Sequence, residues 1–337
     1  MSILSRAVRA AALLVLVTAC SDRAVTMPSS APSSGARSDL ANGTGVLRVD
    51  TWYDANVSGT WDAGENAIDN WPIAIPALGS GPFFTTYINY DTPEGDYTIT
   101  EANPVQSNWY TTRNGGAPSA ALRLSGSAVA SQPAHVDAGG TTFAAFGNVC
   151  FGGAGARGVG YWGSSSGQAT LFANGGDGIV FLNQFVPFPN GSSNYGYWRN
   201  ANGSRVSYTD GSGVHYGFAN FNAFRTWATS ATATNMAYML SVQLAAAKLN
   251  IATGFVWSGE VVYAPGTIAS PVYVPSFNDY WDLADEAQAL LYANGAATLS
   301  IGSGSPLRAR AQALKDALER ANMNVGFVQH APCPLSF

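Results

Sequence analysis

Twelve consecutive residues, Asp54-Ala55-Asn56-Val57-Ser58-Gly59-Thr60-Trp61-Asp62-Ala63-Gly64-Glu65, place side-chain oxygens where a cation could collect them. Asp54, Asn56, Ser58, Asp62 and Glu65 fall at the first, third, fifth, ninth and twelfth places of the window. Thr60, at the seventh, offers its backbone carbonyl, and Gly59 stands at the sixth, where the chain must turn sharply. A hard cation such as Ca2+ takes about six to eight oxygens, and this is the spacing of a calcium loop, with Glu65 able to bind through both oxygens. Ser58 is a neutral ligand where Asp or Asn is usual. The sequence therefore predicts one structural Ca2+ held by Asp54, Asn56, Ser58, Thr60, Asp62 and Glu65. The surroundings favour a cation: residues 42–149 carry ten acidic side chains against three arginines, whereas residues 150–337 carry nine of each sign. A turn built from Asx and Gly, with its acids in water, is the competing reading.

Other chemistry-bearing patterns are weaker. Gly163-Ser164-Ser165-Ser166-Gly167 matches a nucleophile elbow, but no strand precedes it and no oxyanion loop accompanies it, so it reads as a flexible turn. Gly153-Ala154-Gly155-Ala156-Arg157-Gly158 has glycines at dinucleotide spacing without a βαβ unit, and reads as an interdomain hinge. Asp279, Asp282, Asp285 and Glu286 suit the first turns of a helix, where the macrodipole favours acid. His135, His215 and His330 show no metal spacing. Trp162, Trp198, Trp227, Trp257 and Trp281 could stack on sugars or fill a core; a solvent-facing set would favour glycan binding. No catalytic group is assigned, and the chain is read as non-enzymatic. Two lysines and a net charge of −5 exclude a nucleic-acid surface.

The N-terminus predicts an address. Arg6 and Arg9 precede the short apolar run Ala10–Val17, which ends in Val17-Thr18-Ala19-Cys20. This resembles a bacterial lipobox. The resemblance implies a lipoprotein signal peptide over 1–19, lipid on Cys20 as the membrane contact, and, with Ser21 next, the outer membrane, facing the periplasm or the exterior. Residues 20–42, rich in Ser, Ala and Pro, are expected to be a flexible tether. Cys150 and Cys333 then remain as an even pair in an oxidising compartment, and a disulfide is expected, two buried thiols being the alternative.

The elements that must position the loop are short strands between turn signals: Val46–Trp52, Ile73–Ile75, Phe83–Tyr90, Tyr97–Glu101, Trp109–Thr112, Ala121–Leu124 and Thr142–Phe146. Seven such strands predict an all-β sandwich over 43–149. Residues 150–337 predict a mainly α-helical domain. Thr234–Ile251 is apolar on every face, the mark of a central helix. Ser276 with Asp279 forms a capping box for a helix to Asn294, and Ser305-Pro306 opens a last helix with Leu307, Ala311, Leu314, Leu318 and Ala321 on one face.

The loop with Ala67-Ile68-Asp69-Asn70-Trp71-Pro72-Ile73, then Pro93-Glu94-Gly95-Asp96-Tyr97-Thr98-Ile99-Thr100-Glu101 and Phe146-Gly147-Asn148, resembles the B-type domain of serine–aspartate-repeat surface proteins and, more loosely, the collagen-adhesin B-type domains. The resemblance implies a transthyretin-like or Ig-like sandwich, calcium in the loop, and a rigid surface module with structural or adhesive roles. It covers about 43–149, where the absence of lysine excludes a Lys–Asn isopeptide bond. The expected whole is a lipid-anchored, calcium-stabilised surface protein with an extracellular protein or glycan as partner. The alternative is a secreted glycan-binding or glycan-active protein with its activity in 151–337.

Overall fold

The computed structural model describes residues 43–79, 81–85, 89–102, 105–114, 117–118, 130–175, 183, 198–268, 272–292 and 296–337. The expected signal peptide, Cys20, the expected tether and the expected strand Ala121–Leu124 lie outside the described residues.

The long apolar runs set the frame. β1 (Thr44–Tyr53) is buried along almost its whole length, as a central strand must be. β2 (Trp71–Ala74), β3 (Phe83–Thr85) and β4 (Asn89–Pro93) follow, so the expected strand Phe83–Tyr90 is split, its ends belonging to different sheets. Then come β5 (Gly95–Glu101), β6 (Trp109–Asn114), β7 (Ala117–Pro118), β8 (Ser131–Val136) and β9 (Thr141–Gly152). β3-β2-β5-β8 form a four-stranded antiparallel sheet. β1 pairs antiparallel with β4 but parallel with β9, from Val46 opposite Thr141 to Tyr53 opposite Asn148. Leu47, Val49, Ile73, Ile75, Ile99, Val136 and Phe146 fill the space between the two sheets.

The second half contributes helices: α1 (Val159–Trp162), α2 (Ser165–Gly175), α3 (Phe221–Thr229), α4 (Met236–Ala252), α5 (Tyr280–Tyr292) and α6 (Arg308–Asn322). It also contributes strands: a hairpin of β10 (Ser207–Asp210) and β11 (Gly213–Tyr216), then β12 (Val261–Tyr263), β13 (Phe277–Asp279) and β14 (Phe327–Val328). α4 is the central helix, and α5 and α6 pack on it. A satisfied polar network crosses this core. Asn322 donates to the Gln243 carbonyl and side-chain oxygen, both at 2.9 Å, and accepts from Tyr280 Oη at 2.8 Å and Asn250 Nδ2 at 3.1 Å.

The fold class is therefore mixed α/β, which corrects the expectation of an all-β transthyretin-like or Ig-like sandwich followed by a mainly α-helical domain. The cause is β9. It runs past Val149 to Gly152 and offers Phe151 and Gly152 to β14, which pairs with β12, which pairs with β13. The larger sheet thus has eight strands among the described residues, in the order β13-β12-β14-β9-β1-β4, with β6 attached at β9 and β7 at β6. Rings from both halves, Tyr110 and Phe151 with Tyr263 and Phe277, interlock across the join at centroid distances of 5.1–6.0 Å.

Three local expectations also change. Ser276 has φ 77° and does not cap. Phe277–Asp279 is a strand, and the Asp279 carboxylate accepts the Asp282 N–H at 3.2 Å, so α5 starts one turn late. The Gly-rich segment after Gly152 is no hinge. Asn324 Oδ1 accepts the N–H groups of Ala154, Gly155 and Ala156 at 2.8, 2.8 and 3.0 Å, and Asn250 grips both backbone groups of Arg157. The nucleophile-like run is a helix corner, with Ser165, Ser166 and Gly167 inside α2.

Candidate metal centre

β1 delivers Asp54 to the loop, and the neck is closed by Tyr53 N–H on the Asn66 carbonyl at 2.9 Å and by the bridge of Trp52 to Ala67. Trp61 stacks on Trp52 at 5.7 Å and donates its indole N–H to the Glu65 carbonyl, which folds the far side of the loop back on the sheet. The turn needs left-handed backbone at Val57 (φ 56°), Gly59 (φ 72°) and Gly64 (φ 99°). The glycines take this conformation without strain.

The six expected ligands form one hydrogen-bonded network. Asp54, fully buried, accepts Ser58 N–H and Gly59 N–H, both at 2.9 Å. Asn56 accepts Ser58 N–H at 3.0 Å and donates to Asp62 Oδ2 at 2.8 Å. The Ser58 hydroxyl lies 2.7 Å from Asp62 Oδ2, 2.7 Å from the Thr60 hydroxyl and 3.2 Å from the Thr60 carbonyl. Glu65 Oε2 accepts Asp62 N–H at 2.9 Å, while Glu65 Oε1 is buried and makes no hydrogen bond of ordinary geometry.

The electrostatics follow from burial without a counter-ion. Among the described residues no Lys, Arg or His pairs with Asp54, Asp62 or Glu65. Burial raises the Asp54 carboxyl, against the hydrogen bonds that lower it. Burial, with the charges of Asp54 and Asp62, pushes Glu65 up to about 7. Asn56 and Ser58, donating to Asp62, hold its carboxyl below the usual range. Among the described residues no three His, Cys, Asp or Glu side chains are gathered closely enough to hold a metal ion by themselves. The donor chemistry fits a calcium-type cation: the set is all oxygen, half of it neutral, and Glu65 Oε1 is a buried acceptor that makes no hydrogen bond of ordinary geometry, the Asn56 backbone N–H also bearing on the carboxylate.

Behind the loop lies a group that sequence reasoning missed. Glu101, 2% exposed, accepts from Asn148 Nδ2 at 2.6 Å and from the Thr111 hydroxyl at 3.3 Å. Burial pushes it up to about 8. Asn148 also accepts Asp54 N–H on its carbonyl at 2.9 Å, so one residue links the buried acid to Asp54, the first of the expected ligands. Its only sequence signal is an acid at the end of an alternating strand.

The remaining candidates have structural roles. Cys150 and Cys333 are bonded, with Cα atoms 6.1 Å apart. Cys20 lies outside the described residues. Lys248, buried, pairs with Asp285 at 2.7 Å, and Arg310 pairs with Glu286 at 3.1 Å. His215 meets Ser212 and Asp210 through the same Nε2, each at 3.0 Å, so no proton relay runs through the ring. Of the five tryptophans of the second half, Trp162, Trp198 and Trp227 are buried, while Trp257 is 68% and Trp281 40% exposed. Arg199, fully buried, donates to the Leu291 carbonyl at 2.6 and 3.0 Å and to the Ala296 carbonyl at 3.0 Å, capping the end of α5 with no acid involved. The sequence matches no protein-family model and no curated protein.

Proposed function

We propose that this chain is a non-enzymatic lipoprotein of the bacterial cell surface, carried on the outer membrane by lipid on Cys20, and that the Asp54–Glu65 loop is its calcium-stabilised structural element. The observation that carries the calcium reading is the buried Oε1 of Glu65, which makes no hydrogen bond of ordinary geometry, beside the buried Asp54, in a network that has oxygen ligands and, among the described residues, no cationic side chain. The lipid reading rests on the Arg6–Cys20 sequence, and the surface role on the resemblance to serine–aspartate-repeat B-type domains. Calcium added to metal-stripped protein raises the melting temperature, because an ion that binds only the folded state stabilises it by mass action. Melting that does not respond to millimolar calcium rejects the reading. Membrane fractionation tests the anchor: Cys20→Ser releases the protein, and a variant that stays membrane-bound without lipid rejects it.

A second reading, glycan binding, is favoured by one observation. Trp257 and Trp281 face solvent, and Trp281 N–H donates to the Ser258 carbonyl at 3.0 Å, so the two residues are neighbours. Affinity electrophoresis through polysaccharide-loaded gels tests it: wild type is retarded and Trp257→Ala is not. Equal mobility of the two rejects it.

A further inference from the structure

We propose that the Asp54–Glu65 loop is the latch of the seam between the strand-rich and helical halves: Val57 couples cation occupancy to the order of Val272–Phe277. This rests on the calcium reading above. Val57 is no ligand, yet it is the one non-glycine residue of the loop with positive φ, and its side chain is fully buried. A β-branched residue at φ 56° is disfavoured, by roughly 1–2 kcal/mol, so its surroundings must hold it there.

They do so from both halves. The Val57 side chain is fully buried in a cluster that takes Tyr110, Val149 and Phe151 from one side and Tyr263, Val274, Phe277 and Val328 from the other. Its carbonyl accepts the Val274 N–H at 3.0 Å, and the Val274 carbonyl accepts the Phe277 N–H at 3.3 Å. The Val57 N–H donates to the Asp54 carbonyl at 3.1 Å, and Asp54's carboxylate holds the next two amides, those of Ser58 and Gly59. The first ligand of the loop and the plug of the seam are thus parts of one closed turn. A cation that fixes Asp54, Ser58 and Asp62 fixes the left-handed backbone at Val57, and with it the side chain that plugs the seam and so holds the Val57 carbonyl against the Val274 N–H. Coupling of this kind is reciprocal, so a well-packed seam favours cation binding as much as the cation favours the seam.

Hydrogen–deuterium exchange on the whole protein, stripped of metal and then given millimolar calcium chloride, tests the latch. Calcium is expected to slow exchange in 54–65 and also at Val274 and Phe277, by about tenfold. Val57→Gly suits the positive φ and keeps every ligand, so calcium still slows 54–65, while the slowing at Val274 and Phe277 drops to a small fraction. Slowing confined to 54–65 in the wild type overturns the latch and leaves the calcium site standing, as does full slowing at the seam in Val57→Gly. No slowing in either segment removes the calcium reading and the latch together.

Discussion

At the scale of single residues, the loop and the acid behind it make opposite demands on charge. Glu65 has a buried oxygen that makes no ordinary hydrogen bond, so, on the calcium reading proposed above, Glu65→Ala is expected to abolish most of a calcium-dependent rise in melting temperature. Asp69, exposed and four residues past the loop, is expected to leave the rise intact as Asp69→Ala; equal behaviour of the two variants in calorimetry with and without calcium rejects the ligand assignment. Glu101 wants a proton. Its folded pKa of about 8 lies above its ordinary value of 4.5 because burial penalises the carboxylate. Between those values the folded state holds a proton that the unfolded state has released, so stability is present at low pH and declines as pH rises through that window. Glu101→Gln keeps the shape and loses the titration. Urea denaturation in EDTA is expected to show the wild type losing on the order of 3 kcal/mol more than the variant between pH 5 and pH 9. Parallel profiles would mean that the buried acid is already paid for by a partner.

Elements were legible where one physical signal dominated. α4 is apolar on every face because it lies in the centre of the helical core, and its sequence can mean little else. β1 and β5 follow their alternating or continuous apolar runs. β8 does not: Ser131–Val136 is polar, contains Pro133, and is held by its pairing with β5. α2 hides its helical pattern among glycines and serines, and tertiary packing completes it. α3 shows its pattern openly: Asn220 caps it, and Phe221, Phe224, Trp227 and Ala228 fall on one buried face. The clearest failure is the segment after Gly152, whose glycines suggest freedom while Asn324 removes it. Glycine there serves close approach: a Cβ on Gly153 would collide with the Asn324 side-chain amide. Asn324 itself has φ 64°, so Asn324→Gly tests the acceptor without adding strain. Three amides lose their partner, and a destabilisation of about 2–4 kcal/mol is expected in denaturant melts. A loss below about 0.5 kcal/mol would show that water replaces the side chain.

At the scale of the molecule, the cysteine pair was readable because an even pair of cysteines is a pattern with one chemical use, whereas the shared sheet was not. Nothing in the sequence marks that β9 keeps going for a further turn of pleat beyond Val149, or that two residues near the C-terminus, Phe327 and Val328, pair there. Once they do, the last residues are drawn over the first half. Tyr53 donates its hydroxyl to the Gln329 carbonyl at 2.6 Å, Ser336 and Gln106 exchange two hydrogen bonds at 2.9 Å, and Phe337 packs edge-on to Trp71 at 5.1 Å. The Cys150–Cys333 bond secures this tail at its midpoint, across a sequence separation of 183 residues. Closing so long a loop removes chain entropy from the unfolded state worth about 5 kcal/mol, an upper figure because unfolded chains are never fully random. Replacing both cysteines by alanine is therefore expected to lower the melting temperature by roughly ten degrees. The tail contacts give a second reading: exchange at Val105 and Ser336, whose backbone groups meet at 2.9 Å, should rise in the variant before the α4 core is affected. If the double variant melts with the wild type, or if denatured protein kept free of reductant titrates with two thiols, the bond does not form in the mature protein and the tail is held by its packing alone.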